Sequence, residues 1–268
     1  MAIDFSPYHS VLLDLDGTLC HEDHALPGAV EVVTRLQNEQ KPFAILTNST
    51  DSPLRVMQRL ERMGLDVEPD VIYTAAAAAC DYVLQTYGAN PEGRKPRVFN
   101  LATESIYEML EGLVEWVVDP TQQCDAIICG APANAHATDD RRRTALMLAR
   151  HGAAIVGCCA DRIYPSPRGI EFGSGALSWM LSYAANVSPT FCGKPEKIFF
   201  QELCQRIQTN PAMCLLVGDN LEADIFGAKS VGMRTILSLS GVTRVADTEQ
   251  LTEEMRPDLI IQDLRELV

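Results

Sequence analysis

Three aspartates in this chain follow apolar runs and could share one chemical task. Asp14 and Asp16 lie one residue apart in VLLDLDGTLC, and Asp219 lies in LLVGDN. Side chains alternate along an extended segment, so Asp14 and Asp16 should point the same way and repel each other unless a cation or a proton lies between them. Three carboxylates offer the hard oxygen ligands that suit Mg²⁺. One aspartate of such a site can act as a nucleophile and its neighbour as an acid and base.

Each of these segments has a simpler explanation when it is taken alone. Aspartate, asparagine and glycine are ordinary turn residues, so DLDGT at 14–18 and GDN at 218–220 are also typical of strands that end in turns. A lone lysine such as Lys194 is usually a solvated surface group. The occurrence of both aspartate segments after strands of one predicted sheet favours the functional interpretation.

The elements that must position these residues alternate between strands and helices. Apolar runs predict strands at 10–15, 43–47, 213–219, 234–240 and 258–262. Helical spacing predicts helices at 27–40, with Val30 on the apolar face, at 52–64, at 195–208, opened by Pro195, and at 220–232. Such alternation predicts an α/β fold with a parallel sheet covered by helices on both faces. Ligands bind beyond the carboxyl ends of such strands. Thr47, Asn48 and Asn220 are therefore expected near the three aspartates.

Between the two blocks lies a stretch with strand and helix patterns of its own. Its predicted strands include 97–102, 126–130 and 154–158, and DDRRRTALMLARHG at 139–152 predicts a helix. The simplest organisation is a core domain formed by residues 1–74 and 191–268, interrupted by a second domain at residues 75–190.

Composition excludes several classes of protein. The chain has 268 residues, of which 47% are hydrophobic, and a formal charge of -14, which disfavours binding to nucleic acid. Its nine cysteines contain no CxxC spacing, so buried, reduced thiols are expected. The first residues do not resemble a signal peptide and no apolar run is long enough for a bilayer, so we expect a cytoplasmic protein that does not bind membranes.

Three weaker patterns are expected to be structural. His21 and His24 in HEDH are predicted to be surface residues, and the adjacent Cys158 and Cys159 are predicted to pack in a core. The segment FGSGALSW at 172–179 departs from the dinucleotide pattern GxGxxG at Ser178 and favours a flexible entry into a helix.

Four motifs in order give the chain a resemblance to a known family. DLDGTL, LTNS, GKP before a helix and GDNLEADI resemble the motifs of the haloacid dehalogenase-like hydrolases, in the branch similar to NagD and the p-nitrophenyl phosphatases. The resemblance implies a Rossmannoid parallel-sheet core at 1–74 and 191–268 and an inserted α/β cap domain of the C2 type at 75–190.

The resemblance also implies roles for individual residues. Asp14 would attack phosphorus to give an aspartyl-phosphate, while Asp16 would protonate the leaving alcohol and then deprotonate the attacking water. Thr47, Asn48 and Lys194 would hold the phosphoryl group. The position of Lys194 before Pro195 would also place it at a helix N-terminus, which favours phosphate.

A metal and a set of cap residues follow from the same resemblance. Mg²⁺ would be bound by Asp14, Asp219 and the backbone carbonyl of Asp16. Asp224 and Asn220 would support the metal shell. In the cap, three residues are expected to influence substrate choice: Asp161, Arg168 and Ser174.

The predicted function is therefore a magnesium-dependent phosphatase of small phosphorylated metabolites, with a possible homodimer through the cap. A phosphotransferase or phosphomutase on the same core is the alternative within enzymes, because the phosphoryl group could pass to an alcohol instead of water. A binding protein of the same fold without catalysis is the alternative from another class. The presence of Asp14, Asp16, Lys194 and Asp219 argues against the last.

Overall fold

The computed structural model describes residues 3–88, 93–166 and 169–268. In chain order the strands are β1 (Ser10–Asp14), β2 (Cys20–His21), β3 (His24–Ala25), β4 (Phe43–Thr47), β5 (Ile72–Thr74), β6 (Arg97–Leu101), β7 (Glu115–Trp116), β8 (Ala126–Cys129), β9 (Ala154–Gly157), β10 (Ile163–Ser166), β11 (Gly169–Phe172), β12 (Pro189–Phe191), β13 (Cys214–Gly218), β14 (Arg234–Ser238) and β15 (Leu259–Ile261). The helices are α1 (Ala29–Asn38), α2 (Pro53–Arg62), α3 (Ala75–Gly88), α4 (Glu104–Met109), α5 (Asp139–Arg150), α6 (Ser174–Ala185), α7 (Lys197–Arg206) and α8 (Gly227–Lys229).

The chain divides into two units. The first, the core unit, comprises Met1–Thr47, Pro53–Tyr73 and Lys194–Val268, and the second, the inserted unit, comprises Asn48–Ser52 and Thr74–Gly193. The short segment after β4 thus belongs to the inserted unit, although it lies outside the stretch that the sequence pattern marks as separate.

The core unit is built on a six-stranded sheet in the order β15-β14-β13-β1-β4-β5. The registers from β15 to β4 are parallel, with Leu13 beside Val217 and Asp14 beside Leu46. Every residue of β1 is buried, as expected for a central strand that is covered on both faces. The predicted α/β fold with a parallel sheet is confirmed, and the carboxyl ends of β1, β4 and β13 lie at one edge.

Two predicted details of the core helices are wrong. Val30, predicted on the apolar face of α1, is exposed, because Ala29, Val32, Val33 and Leu36 form the buried face. Pro195 does not open α7, which begins at Lys197 after Glu196 in the extended backbone conformation of an N-cap. Lys194 therefore lies in a turn before the helix and not at its first residue.

The inserted unit has its own parallel sheet, in the order β12-β9-β8-β6-β7. Its apolar core includes residues of β6, β8, β9, α5 and α6. An antiparallel hairpin of β10 and β11, which the sequence pattern does not predict, stands apart from this sheet. No helix within the described ranges is long and apolar enough to cross a membrane.

Candidate active site

Four charged side chains from distant parts of the chain meet at one edge of the core sheet. Asp14 is the last residue of β1, and Asp219 directly follows β13. Asp224 lies on the π-helical turn Leu221–Phe226, and Lys194 precedes α7. All four side chains are buried. Each of the three aspartates offers a carboxylate oxygen within 4.8 Å of the others.

Lys194 lies between two of these carboxylates. Its Nζ donates to Asp14 Oδ1 at 2.5 Å and to Asp224 Oδ1 at 2.6 Å. Burial disfavours the ammonium, but the two carboxylates outweigh that cost and raise the pKa of Lys194. The lysine therefore stays charged, and the cluster holds one cation against three carboxylates.

Burial and the crowding of negative charge raise the pKa of two of these carboxyl groups. Burial, followed by repulsion from Asp224, raises the pKa of Asp14 well above its usual value although Lys194 lowers it. Burial and the same neighbour raise the pKa of Asp219 to about 6. Both groups are therefore harder to ionise than free aspartates, and further positive charge nearby would favour their charged form.

Asp14 also has an oxygen that nothing in the described chain satisfies. Its Oδ2 is buried and has no hydrogen-bond partner among the described residues. An unpaired buried carboxylate oxygen is costly, and two further carboxylates lie close to Asp14. The donor set and this orphaned atom fit a hard divalent cation, whose charge would offset the excess.

Two glycines make room for Asp219. A Cβ atom on Gly17 would lie 2.3 Å from Asp219 Oδ2, and one on Gly241 would lie 1.9 Å from the same atom. Gly17 also has a φ of 100°, a conformation that other residues rarely adopt. The backbone N–H of Val242 donates to Asp219 Oδ2 at 2.6 Å and fixes the carboxylate.

Asn220 acts here mainly as a helix cap. Its Oδ1 accepts hydrogen bonds from the backbone N–H groups of Glu222 and Ala223, while its own backbone N–H donates to Asp224 Oδ2 at 3.1 Å. The side chain thus orders the turn that carries Asp224. Asn220 therefore contacts the cluster through its backbone N–H, which holds the Asp224 carboxylate.

Asp16 has different surroundings from Asp14, because β1 ends at Asp14 and strict alternation of side chains ends with it. The Asp16 side chain is 53% exposed and accepts a hydrogen bond at 2.6 Å from Arg59 on α2. Thr47, the last residue of β4, donates from its hydroxyl to the other oxygen of Asp16 at 3.4 Å. The core unit thus brings Asp16 and Thr47 together at the same sheet edge as Asp14.

Two other predicted residues meet inside the inserted unit. The Asn48 amide donates to both carboxylate oxygens of Asp161 at 3.2 Å, and the Cys159 thiol lies 3.2 Å from Asp161 Oδ2. Ser174 is the buried first residue of α6. Arg168 lies outside the described residues.

The glycines at the start of α6 allow close packing. A Cβ atom on Gly173 would lie 2.2 Å from the carbonyl oxygen of Asp161, and one on Gly175 would lie 2.3 Å from that of Ala160. The predicted helix is present, but its entry is tightly packed against residues 160–162 and the glycines are required by that contact.

The other structural expectations hold. His21 and His24 are exposed and face each other across the β2–β3 pair. All nine cysteines are free, and Cys158 and Cys159 are buried.

Sequence patterns did not single out Arg59, Gly241 or Val242. Arg59 is one of several basic residues on α2, and nothing in its spacing marks it as a partner of Asp16. Gly241 carried a usable signal, because it follows a predicted parallel strand at the edge where ligands bind.

Comparison with family models identifies both halves of the core. A model described as haloacid dehalogenase-like hydrolase matches residues 11–113, and one described as HAD-hydrolase-like matches residues 191–267. These two ranges contain all the residues of the charged cluster.

Individual proteins match over nearly the whole chain. Haloacid dehalogenase-like hydrolase domain-containing protein 2 of Bos taurus is 31% identical over 90% of this chain and 88% of its own length. Acid sugar phosphatase of Staphylococcus aureus is 29% identical over 97% of both chains. The crystal structure of 4-nitrophenylphosphatase from Thermotoga maritima superposes with a TM-score of 0.86 at 26% identity, covering 98% of this chain and 97% of that one.

Proposed function

This chain belongs to the haloacid dehalogenase-like hydrolase family, and from that premise we propose that it is a metal-dependent phosphatase that hydrolyses phosphomonoesters of small metabolites. The observation that carries the proposal is the buried cluster in which Lys194 bridges Asp14 and Asp224 while Asp14 Oδ2 has no partner in the described chain. The similarity to proteins named as phosphatases supports the same reaction class.

Asp14 is proposed as the nucleophile. One of its carboxylate oxygens forms a bond to phosphorus as the bond from phosphorus to the ester oxygen breaks, which leaves an aspartyl-phosphate and an alcohol. Water then attacks phosphorus, the bond to Asp14 breaks, and inorganic phosphate leaves. Two easier displacements replace one difficult hydrolysis.

Asp16 is proposed as the acid and base. It gives a proton to the leaving ester oxygen in the first displacement and takes one from the attacking water in the second. Its half-exposed position beside Thr47 suits a group that must meet both substrate and water. The buried Asp14 is unsuited to that exchange, so the two aspartates have separate tasks.

The phosphoryl oxygens are proposed to lie among Thr47, Asn48 and Lys194. A transferring phosphoryl group needs positioning and positive charge around its oxygens. Lys194 supplies a charge that its two carboxylate partners keep protonated. Because its charge resides on Nζ, this role does not require Lys194 to lie at a helix N-terminus.

Mg²⁺ is the proposed cofactor. Asp14, Asp219 and the backbone carbonyl of Asp16 would hold it, while Asp224 and Asn220 would order the surrounding shell. When bound, the ion supplies positive charge that neutralises the phosphate and the carboxylates. The cradle formed by Gly17, Gly241 and Val242 fixes Asp219 for this purpose.

The inserted unit is proposed to be a C2-type cap that selects the substrate. Asp161, Ser174 and Arg168 are proposed to influence that choice, Asp161 by holding the Asn48 amide that follows Thr47 in the chain. We further propose a cytoplasmic location and a homodimer through the cap. The high negative charge of the chain is consistent with a substrate that a local positive site attracts.

A phosphate-release assay tests the function. The purified protein should hydrolyse p-nitrophenyl phosphate in the presence of Mg²⁺. Hydrolysis should stop when a chelator removes the ion. A panel of phosphometabolites ranked by kcat/KM then identifies the substrate class. Added glycerol separates hydrolysis from phosphotransfer, because a phosphotransferase would form glycerol phosphate at the expense of free phosphate. No release from any ester in the presence of Mg²⁺ would overturn the proposal.

A further inference from the structure

Arg59 is a basic residue that the function described above does not use. It lies on α2, between the buried Val56 and Leu60, and its side chain is 25% exposed. One guanidinium nitrogen donates to Asp16 Oδ1 at 2.6 Å and to the carbonyl oxygen of Glu22 at 2.7 Å. The guanidinium thereby joins the carboxylate after β1 to the turn between β2 and β3.

Asp16 has few other restraints. Its remaining contacts in the described chain are the Thr47 hydroxyl at 3.4 Å, which is long for a hydrogen bond, and the Cys20 thiol at 3.9 Å. A side chain that is half exposed samples several rotamers unless something holds it. Among these contacts the one to Arg59 is short and charge-assisted, so it decides the orientation of the carboxylate.

The direction of that restraint matters. Arg59 binds Oδ1, which leaves Oδ2 on the side of Thr47. Thr47 stands at the carboxyl end of β4, where the phosphoryl group is proposed to bind. The oxygen that Arg59 leaves unoccupied is therefore the one turned toward the reaction.

We propose that Arg59 is a positioning residue that holds Asp16 with Oδ2 turned toward the leaving oxygen of the substrate. The inference rests on the proposed function, in which Asp16 protonates that oxygen. A general acid works only within hydrogen-bond reach of its target, and a small misplacement costs much of the rate. The planar fork of arginine can bind Asp16 and the Glu22 carbonyl together in one fixed geometry.

A role in positioning is distinct from a role in stability. Both partners of the Arg59–Asp16 pair are partly exposed, and ion pairs of that kind contribute little to folding. Loss of Arg59 should therefore leave the thermal midpoint nearly unchanged while it lowers the rate of proton transfer to the leaving group. Esters whose leaving groups need that proton most should suffer most.

Two aryl esters separate these effects. p-Nitrophenolate leaves readily without a proton, whereas the more basic phenolate depends on one, and the two substrates share a phenyl ring for binding. kcat/KM is the right measure because it covers steps up to the departure of the alcohol or phenol. We expect Arg59→Met to lower kcat/KM about 30-fold for phenyl phosphate and less than about threefold for p-nitrophenyl phosphate.

Two further variants sharpen the result. Arg59→Lys keeps a positive charge but not the fork, so we expect intermediate losses with the same preference for phenyl phosphate. Arg62→Met is the matched control, because Arg62 lies on the same helix and is exposed. Arg62→Met should leave kcat/KM unchanged for both substrates. Arg59→Lys also carries the test if Arg59→Met fails to fold, which circular dichroism and the thermal midpoint show.

Equal losses on the two esters, no loss on either, or the same losses in Arg62→Met would overturn the inference. Asp14→Asn and Asp16→Asn, measured on both esters, keep its failure separate from that of the proposed function. Full activity in Asp14→Asn would overturn the aspartyl-phosphate mechanism itself. Loss of activity in Asp14→Asn together with a uniform effect of Arg59→Met would overturn only the role of Arg59.

Discussion

The two parallel sheets of this chain end in different chemistry. In the core unit, the residues at or directly after the strand ends include Asp14, Thr47 and Asp219. In the inserted unit, Cys129 ends β8, and Cys158 and Cys192 directly follow β9 and β12. The same architecture thus presents carboxylates at one sheet and thiols at the other. A parallel sheet supplies a location for a site, and the residue types placed there decide whether a reaction follows.

Burial acts on both sets of residues with opposite consequences. In the core unit, burial and the neighbouring carboxylates disfavour the charged form of Asp14. The ammonium of Lys194 offsets part of this cost, and a bound metal ion would offset more. In the inserted unit, burial raises the pKa of the Cys129 thiol to about 12 and raises the pKa of Cys158 as well, so both remain neutral. Neutral, buried thiols are unreactive. We therefore expect changes at the core sheet to alter the reaction and changes at the inserted sheet to leave it nearly unaltered.

Among changes at the core sheet, Asp14→Asn should have the largest effect on the reaction. The amide cannot form an acyl phosphate, so we expect kcat for p-nitrophenyl phosphate to fall at least about 1000-fold. The fold should survive, because the substitution removes one of three crowded carboxylates and leaves Lys194 paired with Asp224. Phosphate release and the thermal midpoint are the two measurements. Activity within tenfold of the unmodified protein would mean that another group attacks phosphorus.

Lys194→Met should lower both activity and stability. Removal of the ammonium leaves Asp14, Asp219 and Asp224 buried without a cation, and breaking a buried ion pair costs about 3–5 kcal/mol. We expect the thermal midpoint to fall by roughly 10 °C at neutral pH and to recover partly when Mg²⁺ is added. Lys197→Met, at an exposed position three residues away, is the control and should change neither property. An unchanged thermal midpoint in Lys194→Met would show that the buried carboxylates do not depend on the Lys194 ammonium for stability.

Much of the core could be predicted from sequence because its signals are local. The β4 strand is predicted residue for residue, and the buried β1 ends one residue before the prediction, since apolar runs mark central strands directly. The convergence of Asp14 and Asp219 follows from the rule that parallel strands place their carboxyl ends at one edge. These features need only the chain order of strands and helices.

Features that depend on side chains meeting across the fold could not be predicted. The partner of Asp16 is Arg59, 43 residues away, and no periodicity links the two. The β10–β11 hairpin has no clear sequence signal, because its exposed Ile163, Ile170 and Phe172 do not form a buried apolar run. The predicted start of α7 is wrong because Pro195 is typical of a first helical residue, whereas here the turn continues to Glu196.

Metal binding and pH should act on the cluster together. Folding raises the pKa of the Asp219 carboxyl from 3.8 to about 6. This group therefore stabilises the folded state fully below pH 3.8 and loses that contribution as the pH rises through about 6. For Asp219 the shift corresponds to about 3 kcal/mol. Without metal, we therefore expect the thermal midpoint to fall by several degrees between pH 5 and pH 7. Mg²⁺ should reverse that fall at pH 7, where the carboxylates are charged.

Asp219→Asn isolates this contribution from the general effect of pH on an acidic protein. The variant keeps the shape of the side chain but has no proton to lose, so its midpoint should change less between pH 5 and pH 7 than that of the unmodified protein. It should also gain less from Mg²⁺. Identical pH and Mg²⁺ responses in the two proteins would contradict the assignment of Asp219 to the metal site.

The smallest effect is expected at the strand ends of the inserted unit. Cys158→Ala removes a buried thiol beside Cys159 and should change kcat/KM for p-nitrophenyl phosphate less than about twofold, because the thiol takes no part in the reaction. The folded protein should react slowly with a thiol reagent such as dithionitrobenzoate and should expose all nine cysteines only after unfolding. A large loss of activity in Cys158→Ala at an unchanged thermal midpoint would show that this sheet edge also takes part in the chemistry. The two sheets would then differ in the substrate groups that each contacts. They would no longer differ in whether their strand ends take part in the reaction.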